Sequence, residues 1–162
     1  VRKSGQWQNE RLQAVGNLFT LHLMEIAMWT HEESIETSAA ASRVWALFAD
    51  VARWKEWNAG IESIELHGPF VAGTTFTMRP PGQDALTSTL TEVKVNERFI
   101  DETVVDDTRV LVSHKLLPLP SGRTRIIYST EISGPDAAEI GPLVTGDFSD
   151  VLAALKKLAE QS

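Results

Sequence analysis

Between Ile61 and Ile132 the chain reads as one strand after another, separated by short turn signals, and no other feature narrows its fold as much. The segments are Ile61 to Leu66, Thr74 to Arg79, Leu86 to Val95, Arg98 to Val105, Arg109 to Leu117 and Thr124 to Ile132. Between them stand His67-Gly68-Pro69, Ala72-Gly73, Pro80-Pro81-Gly82, Asn96-Glu97, Asp106-Asp107 and Pro118 to Gly122. Gly, Pro, Asn and Asp punctuate a chain because they fix φ, tolerate positive φ or bond their own backbone. Consecutive strands on short turns pair antiparallel. The alternation of Ile126, Tyr128, Thr130 and Ile132 implies that one face of the sheet is buried.

What buries that face must come from the flanks. A first strand precedes the series, with Trp29, His31, Glu33, Ile35 and Thr37 on one parity. Ser38 is then expected to cap a helix over Ala39 to Ala49, whose stripe is Val44, Leu47 and Phe48. Asp50 opens a second short helix bearing Trp54 and Trp57, which Asn58-Ala59-Gly60 ends. After Gly134-Pro135, Asp136 to Gln161 is helical in character, with an interruption expected near Gly141-Pro142. There Val144, Phe148, Val151, Leu152, Leu155 and Leu158 make an apolar stripe at helical spacing. This element alone is long enough to cover a sheet. The fold class is therefore α+β: a curved antiparallel sheet of about seven strands around a long C-terminal helix, with two short helices after the first strand. Residues 28–162 form this domain. Residues 1–27 read as an extension, in which Leu12, Val15, Phe19, Leu23 and Ile26 recur at helical spacing, as in a docked amphipathic helix or a loosely ordered tail.

The balance of charge limits the partners. The 162 residues carry a formal net charge of -7. Such a surface repels phosphate backbones and anionic lipids, so neither nucleic acid nor an anionic membrane is expected as a partner. There is no cysteine, which excludes disulfides and thiol chemistry. The four histidines lack metal-ligand spacing, and no metal or other cofactor is expected. Gly68 to Thr75 has Walker-like glycine spacing without the lysine, so no phosphate is cradled there. No uncharged run spans a bilayer, no Ala-x-Ala cleavage site follows the apolar stretch after Arg11, and a cytoplasmic location is expected.

A curved sheet around one helix leaves space that side chains or a guest must fill. The positions expected to line it mix apolar and polar groups: Trp57, Phe76, Met78, Phe99, His114, Tyr128, Thr130, Phe148 and Leu152. Hydrophobic walls with a few orienting polar groups are the usual form of a small-molecule site. The plain alternative is that each is simply core, since an inward Tyr or His is commonly satisfied and inert.

Val44-Trp-Ala-Leu-Phe-Ala-Asp50, Trp54-Lys-Glu-Trp57-Asn58, Gly68-Pro69-Phe70, Gly73-Thr74 and Gly122-Arg-Thr124-Arg125 together resemble the START-like superfamily. The similarity is to its polyketide cyclase/dehydrase and lipid-transport (SRPBCC) group and runs from Trp29 to the C-terminus. The resemblance implies a helix-grip fold with an apolar cavity between helix and sheet, and a hydrophobic lipid- or polyketide-like ligand. It implies no particular reaction, because chemistry resides in grafted side chains.

Three functions follow. The leading one is binding or carriage of a hydrophobic small molecule. The second is a cyclase or dehydratase, whose proton transfers need an inward acid or base. His114, Tyr128 and Glu33 are its candidates, with His31 and Asp101 behind them; Glu33 and His31 share an inward parity, but a solvated pair at a frayed strand is the favoured reading of the two. The third is a protein-interaction module that docks through residues 1–27 or through the Trp54/Trp57 helix.

Overall fold

The computed structural model describes residues 28–161; the extension over residues 1–27 lies outside them. Seven strands form one antiparallel sheet: β1 (Met28–Thr37), β2 (Ser63–Leu66), β3 (Thr75–Arg79), β4 (Leu86–Lys94), β5 (Arg98–Val105), β6 (Thr108–Pro118) and β7 (Thr124–Ser133). Their order is β1-β7-β6-β5-β4-β3-β2. The strands β2 to β7 thus make a meander, and β1 closes it by pairing with β7, Glu33 opposite Tyr128 and His31 opposite Thr130.

Local chemistry explains the turns and one shift of parity. The β5–β6 hairpin closes through Asp106-Asp107, with Asp106 at φ 51°, a left-handed conformation that Asp tolerates. In β4 the register slips between Leu90 and Glu92, a bulge that places one extra residue on this strand. Leu90 and Val93 therefore both reach the inner face, opposite Asp101 and Phe99.

The helices are α1 (Ala41–Ala49), a 3-10 helix (Val51–Glu56), α2 (Ala137–Thr145) and α3 (Phe148–Ala159). Two boundaries differ from expectation. Ser38 does not cap α1; Ala40 holds the cap position, without a side-chain bond. Thr37 does the local work instead. Its Oγ1 accepts from the Ala39 N–H at 3.2 Å and donates to Glu160 Oε1 at 2.9 Å. The Ser38 N–H reaches the same oxygen at 3.0 Å, so the start of α1 is tied to the end of α3.

The C-terminal helix breaks at Gly146-Asp147, not at Gly141-Pro142. Pro142 lies early enough in α2 that its missing N–H leaves only the first-turn carbonyl of Ala138 without a helical donor. Gly141 is needed for a different reason from helix breaking. A Cβ there would land inside the indole of Trp29, so glycine permits α2 to lie directly on β1. Beyond the break, Phe148, Val151, Leu152 and Leu155 of α3 are buried. The helix packs against β1 and α1.

The interior beneath α1 and the 3-10 helix is a cluster of rings. Phe99 stacks on Trp54 at 5.6 Å and meets Phe48 and Phe70 edge-on at 5.1 and 5.2 Å. Burying aromatic rings of this size in tilted contact supplies much of the apolar stabilisation of a domain. The Trp54 Nε1–H is satisfied by the Phe48 carbonyl at 2.9 Å.

Candidate functional site

A cavity of about 800 Å³ lies between the inner face of the sheet, the 3-10 helix and the α2–α3 segment. That volume falls within the range of small-molecule sites. Its deep walls include Trp54, Trp57, Phe76, Phe99, Val112 and Phe148. Its mouth is bounded by the β3–β4 turn at Pro80 and Pro81, the β5–β6 turn at Asp106 and Asp107, and Leu143 of α2. Leu143 is 84% exposed. A shallower hollow of about 570 Å³ crosses the outer face of the sheet at Leu111, Ser113 and Ser129, and lacks the Trp, Tyr and Phe walls of the inner cavity.

Three neighbouring strands place the polar groups of the cavity. Strand pairing sets Phe99 of β5 opposite His114 of β6, and His114 opposite Tyr128 of β7. The His114 ring stacks on Phe99 at 3.9 Å and meets Tyr128 edge-on at 4.6 Å. Its Nδ1 lies 3.4 Å from the Phe99 carbonyl, which can only accept; Nδ1 therefore carries the proton and Nε2 a lone pair. Asp101, two residues along β5, brings Oδ2 to 3.8 Å from Nδ1.

Burial dominates the electrostatics here. It pushes the Asp101 carboxyl up to about 7. It pulls the His114 imidazole down to about 3, against the opposing pull of the bond to Phe99. The Tyr128 phenol is driven well above its ordinary value, chiefly by burial and then by the charges of Asp101 and Asp147. Asp147, at the start of α3, is raised by partial burial. Among the described residues no lysine or arginine lines the cavity to offset these carboxyls. Asp101 and His114 are accordingly stable as neutral partners.

Several buried polar atoms have no hydrogen-bond partner, among them Tyr128 Oη, Trp57 Nε1 and Thr130 Oγ1. Buried polar atoms are nearly always paired, so each orphan asks for an explanation such as a water or a ligand. The first two line the cavity.

The residues expected to line a pocket separate into two groups. Trp57, Phe76, Met78, Phe99, His114, Tyr128 and Phe148 surround the cavity. Thr130 and Leu152 are buried beside it, outside its lining. Glu33 also lies outside the lining, paired with His31 at 3.4 Å, both side chains about one-third exposed (33% and 35%). Trp54 and Trp57 are buried at 5% and 4% exposure, so their indoles face the interior and are not presented to a partner at the surface. Parity assigned Asp101 no direction, because β5 is apolar on both sides; the register opposite Leu90 and Val112 turns it inward. Asp147 gave no sequence signal beyond an acidic residue after a glycine. Among the described residues no group of three or more His, Cys, Asp or Glu is arranged to hold a metal ion. Among them, too, no helix is long and apolar enough to cross a membrane.

A seven-stranded sheet gripping a C-terminal helical segment over an apolar cavity defines the helix-grip class. The family described as polyketide cyclase / dehydrase and lipid transport matches residues 28–160, and the chain belongs to it. Membership supports binding of hydrophobic ligands at the level of the family. Among curated proteins none matches significantly. Solved structures share the fold. Norcoclaurine synthase from Thalictrum flavum superposes with a TM-score of 0.69 at 16% identity, covering 86% of this chain and 92% of its own. The Zhui aromatase/cyclase from a Streptomyces species gives 0.69 at 18% identity, covering 82% and 94%. A START superfamily protein from Mycobacterium smegmatis gives 0.64 at 15%, covering 82% and 97%. At these identities the likeness is one of fold.

Proposed function

We propose that this chain binds and carries a hydrophobic small molecule of lipid or polyketide type. The observation that carries the reading is the cavity of about 800 Å³ whose aromatic walls also hold orphaned buried polar groups. Aromatic and aliphatic walls supply affinity by removing ligand surface from water, at about 25 cal/mol per Å². Tyr128 and His114 then orient one polar group of the guest. The test is titration with the neutral dye N-phenyl-1-naphthylamine. Its emission should rise on binding, and Val110→Trp, which sets an indole into the cavity wall, should weaken that rise while leaving the fold intact by circular dichroism. Dye uptake that Val110→Trp leaves unchanged would place the binding elsewhere and end this reading.

One observation favours a second reading, an acid–base enzyme of the cyclase or dehydratase type. Asp101 is buried beside His114 with its carboxyl raised to about 7, where a group serves as proton donor and acceptor at neutral pH. His114, held near 3 with a lone pair on Nε2, is better suited to accept a hydrogen bond from a guest hydroxyl than to store a proton. Tyr128 lies in reach of the same guest, whereas Glu33 sits outside the lining. Solvent deuterium exchange at the α-carbon of 2-tetralone, followed by NMR, tests this. Exchange should exceed that in an equal concentration of acetate and imidazole, and Asp101→Asn should abolish the excess while Glu33→Gln keeps it. Exchange no faster than in the buffer would refute the enzyme and leave the carrier standing.

A further inference from the structure

We propose that the cavity selects guests that carry a protonated amine on an apolar or aromatic body, an inference that rests on the binding reading above. Five carboxyl groups line the cavity and its mouth, from Asp101, Asp106, Asp107, Asp136 and Asp147. Among the described residues not one lysine or arginine lines it. The outer face of the same sheet behaves differently. There Glu36 is held by Arg123 and Arg125, Glu92 by Arg98, and Glu102 by Arg109. Adjacent residues of β5 show the contrast most directly. Glu102, pointing out, has a guanidinium at 2.7 Å; Asp101, pointing in, has only the neutral imidazole of His114 at 3.8 Å.

A second observation is independent of the carboxyls. Tyr128 is 3% exposed, lines the cavity and leaves its hydroxyl unpartnered. Both features fit an ammonium guest. It would supply the counter-charge that a buried carboxyl needs, and Tyr128 Oη would accept one of its N–H groups. The aspartates at the mouth favour entry of a cation and oppose an anion. A fatty acid or another carboxylate would meet repulsion with no cationic side chain to receive it.

The test uses the full chain loaded with N-phenyl-1-naphthylamine and three competitors of matched shape: 4-phenylbutylamine, 4-phenylbutanol and 4-phenylbutyrate. The amine should displace the dye at a concentration at least about tenfold below that of the carboxylate, the low end of what an opposite charge does to a buried carboxyl. Asp101→Asn should shrink this advantage, read as the ratio of amine to carboxylate needed to displace the dye. Asp147→Asn, nearer the mouth, gives the same reading should the first variant fold poorly. Equal or better displacement by the carboxylate overturns the inference, as does an amine advantage that survives both substitutions. Either result leaves dye uptake, and with it the carrier, intact. Failure of the dye itself to bind brings down the carrier reading and this inference together.

Discussion

Trp54 and Trp57 stand three residues apart, and the interior treats them differently. Trp54 donates to the Phe48 carbonyl at 2.9 Å within a closed cluster of rings. Trp57, equally buried, donates to nothing. The division extends outwards from them. Toward α1 and the end of α3, polar groups are paired: Thr124 Oγ1 donates to the Ala39 carbonyl at 2.8 Å, and Thr37 bonds Glu160. Toward α2 and the β5–β6 turn lie Asp101, Tyr128 and Trp57, with raised or orphaned groups. One half of the interior has its interactions completed by the protein itself. The other keeps buried polar groups without protein partners, a departure from local stability of the kind that binding sites show.

The largest effect should come from the ring cluster, where the completed half meets the deep wall of the cavity. Phe99→Ala removes a side chain that is 0% exposed and stacks on Trp54 and His114, and should cost about 3–5 kcal/mol in chemical denaturation. A cost below 1 kcal/mol would show that this region packs as loosely as the cavity and would erase the contrast.

The pH dependence is the next largest effect, and it arises in the other half. Asp101 rises from 3.8 unfolded to about 7 folded, so the native state holds the extra proton between those values and stability falls as pH rises through them. His114 drops from 6.5 to about 3, so the unfolded state holds the extra proton there and stability rises with pH. Over their shared range, roughly pH 4 to 6.5, the two slopes oppose each other. The native protein should show a plateau. Asp101→Asn should expose a stability that climbs with pH across this range. His114→Gln should expose one that declines, each on the order of a few kcal/mol in total. Slopes of the same sign in the two variants would contradict the assignment of burial as the shared cause.

The smallest effects compare the indoles and the phenol. Trp54→Phe strands the Phe48 carbonyl as well as losing volume, and should cost about 1–3 kcal/mol more than Trp57→Phe, which removes a donor that has no partner. Tyr128→Phe should lie within about 1 kcal/mol of the parent or above it, since an unpaired buried hydroxyl is deleted. Tyr128→Phe losing as much as Trp54→Phe would mean that its hydroxyl is already satisfied in the empty protein.

The strand series, the parity of β1 and β7 and the stripe of α3 were legible because each is a local periodicity, carried by neighbours within one element. The break at Gly146 was not, because Gly141-Pro142 carries the stronger local signal. Gly141 is explained only by the indole of Trp29, more than a hundred positions away in the chain. Glu33 and Asp101 show the same limit for the site. Glu33 had a readable inward parity, yet β1 places it outside the cavity, beside His31. Asp101 had none, yet the pairing of β5 with β4 and β6 sets it in the wall.

By itself the sequence determined the antiparallel sheet, the C-terminal helical cover, the family and the existence of an inner face rich in aromatic rings. Hydrophobic periodicity and turn chemistry act over a few residues and are written in order along the chain. Only the tertiary structure decided which half of that interior closes, which carboxyls lose their counter-charges and where the mouth opens. Those outcomes depend on strand register and helix placement, which bring together side chains from β5, β6, β7 and α3 that no local pattern connects.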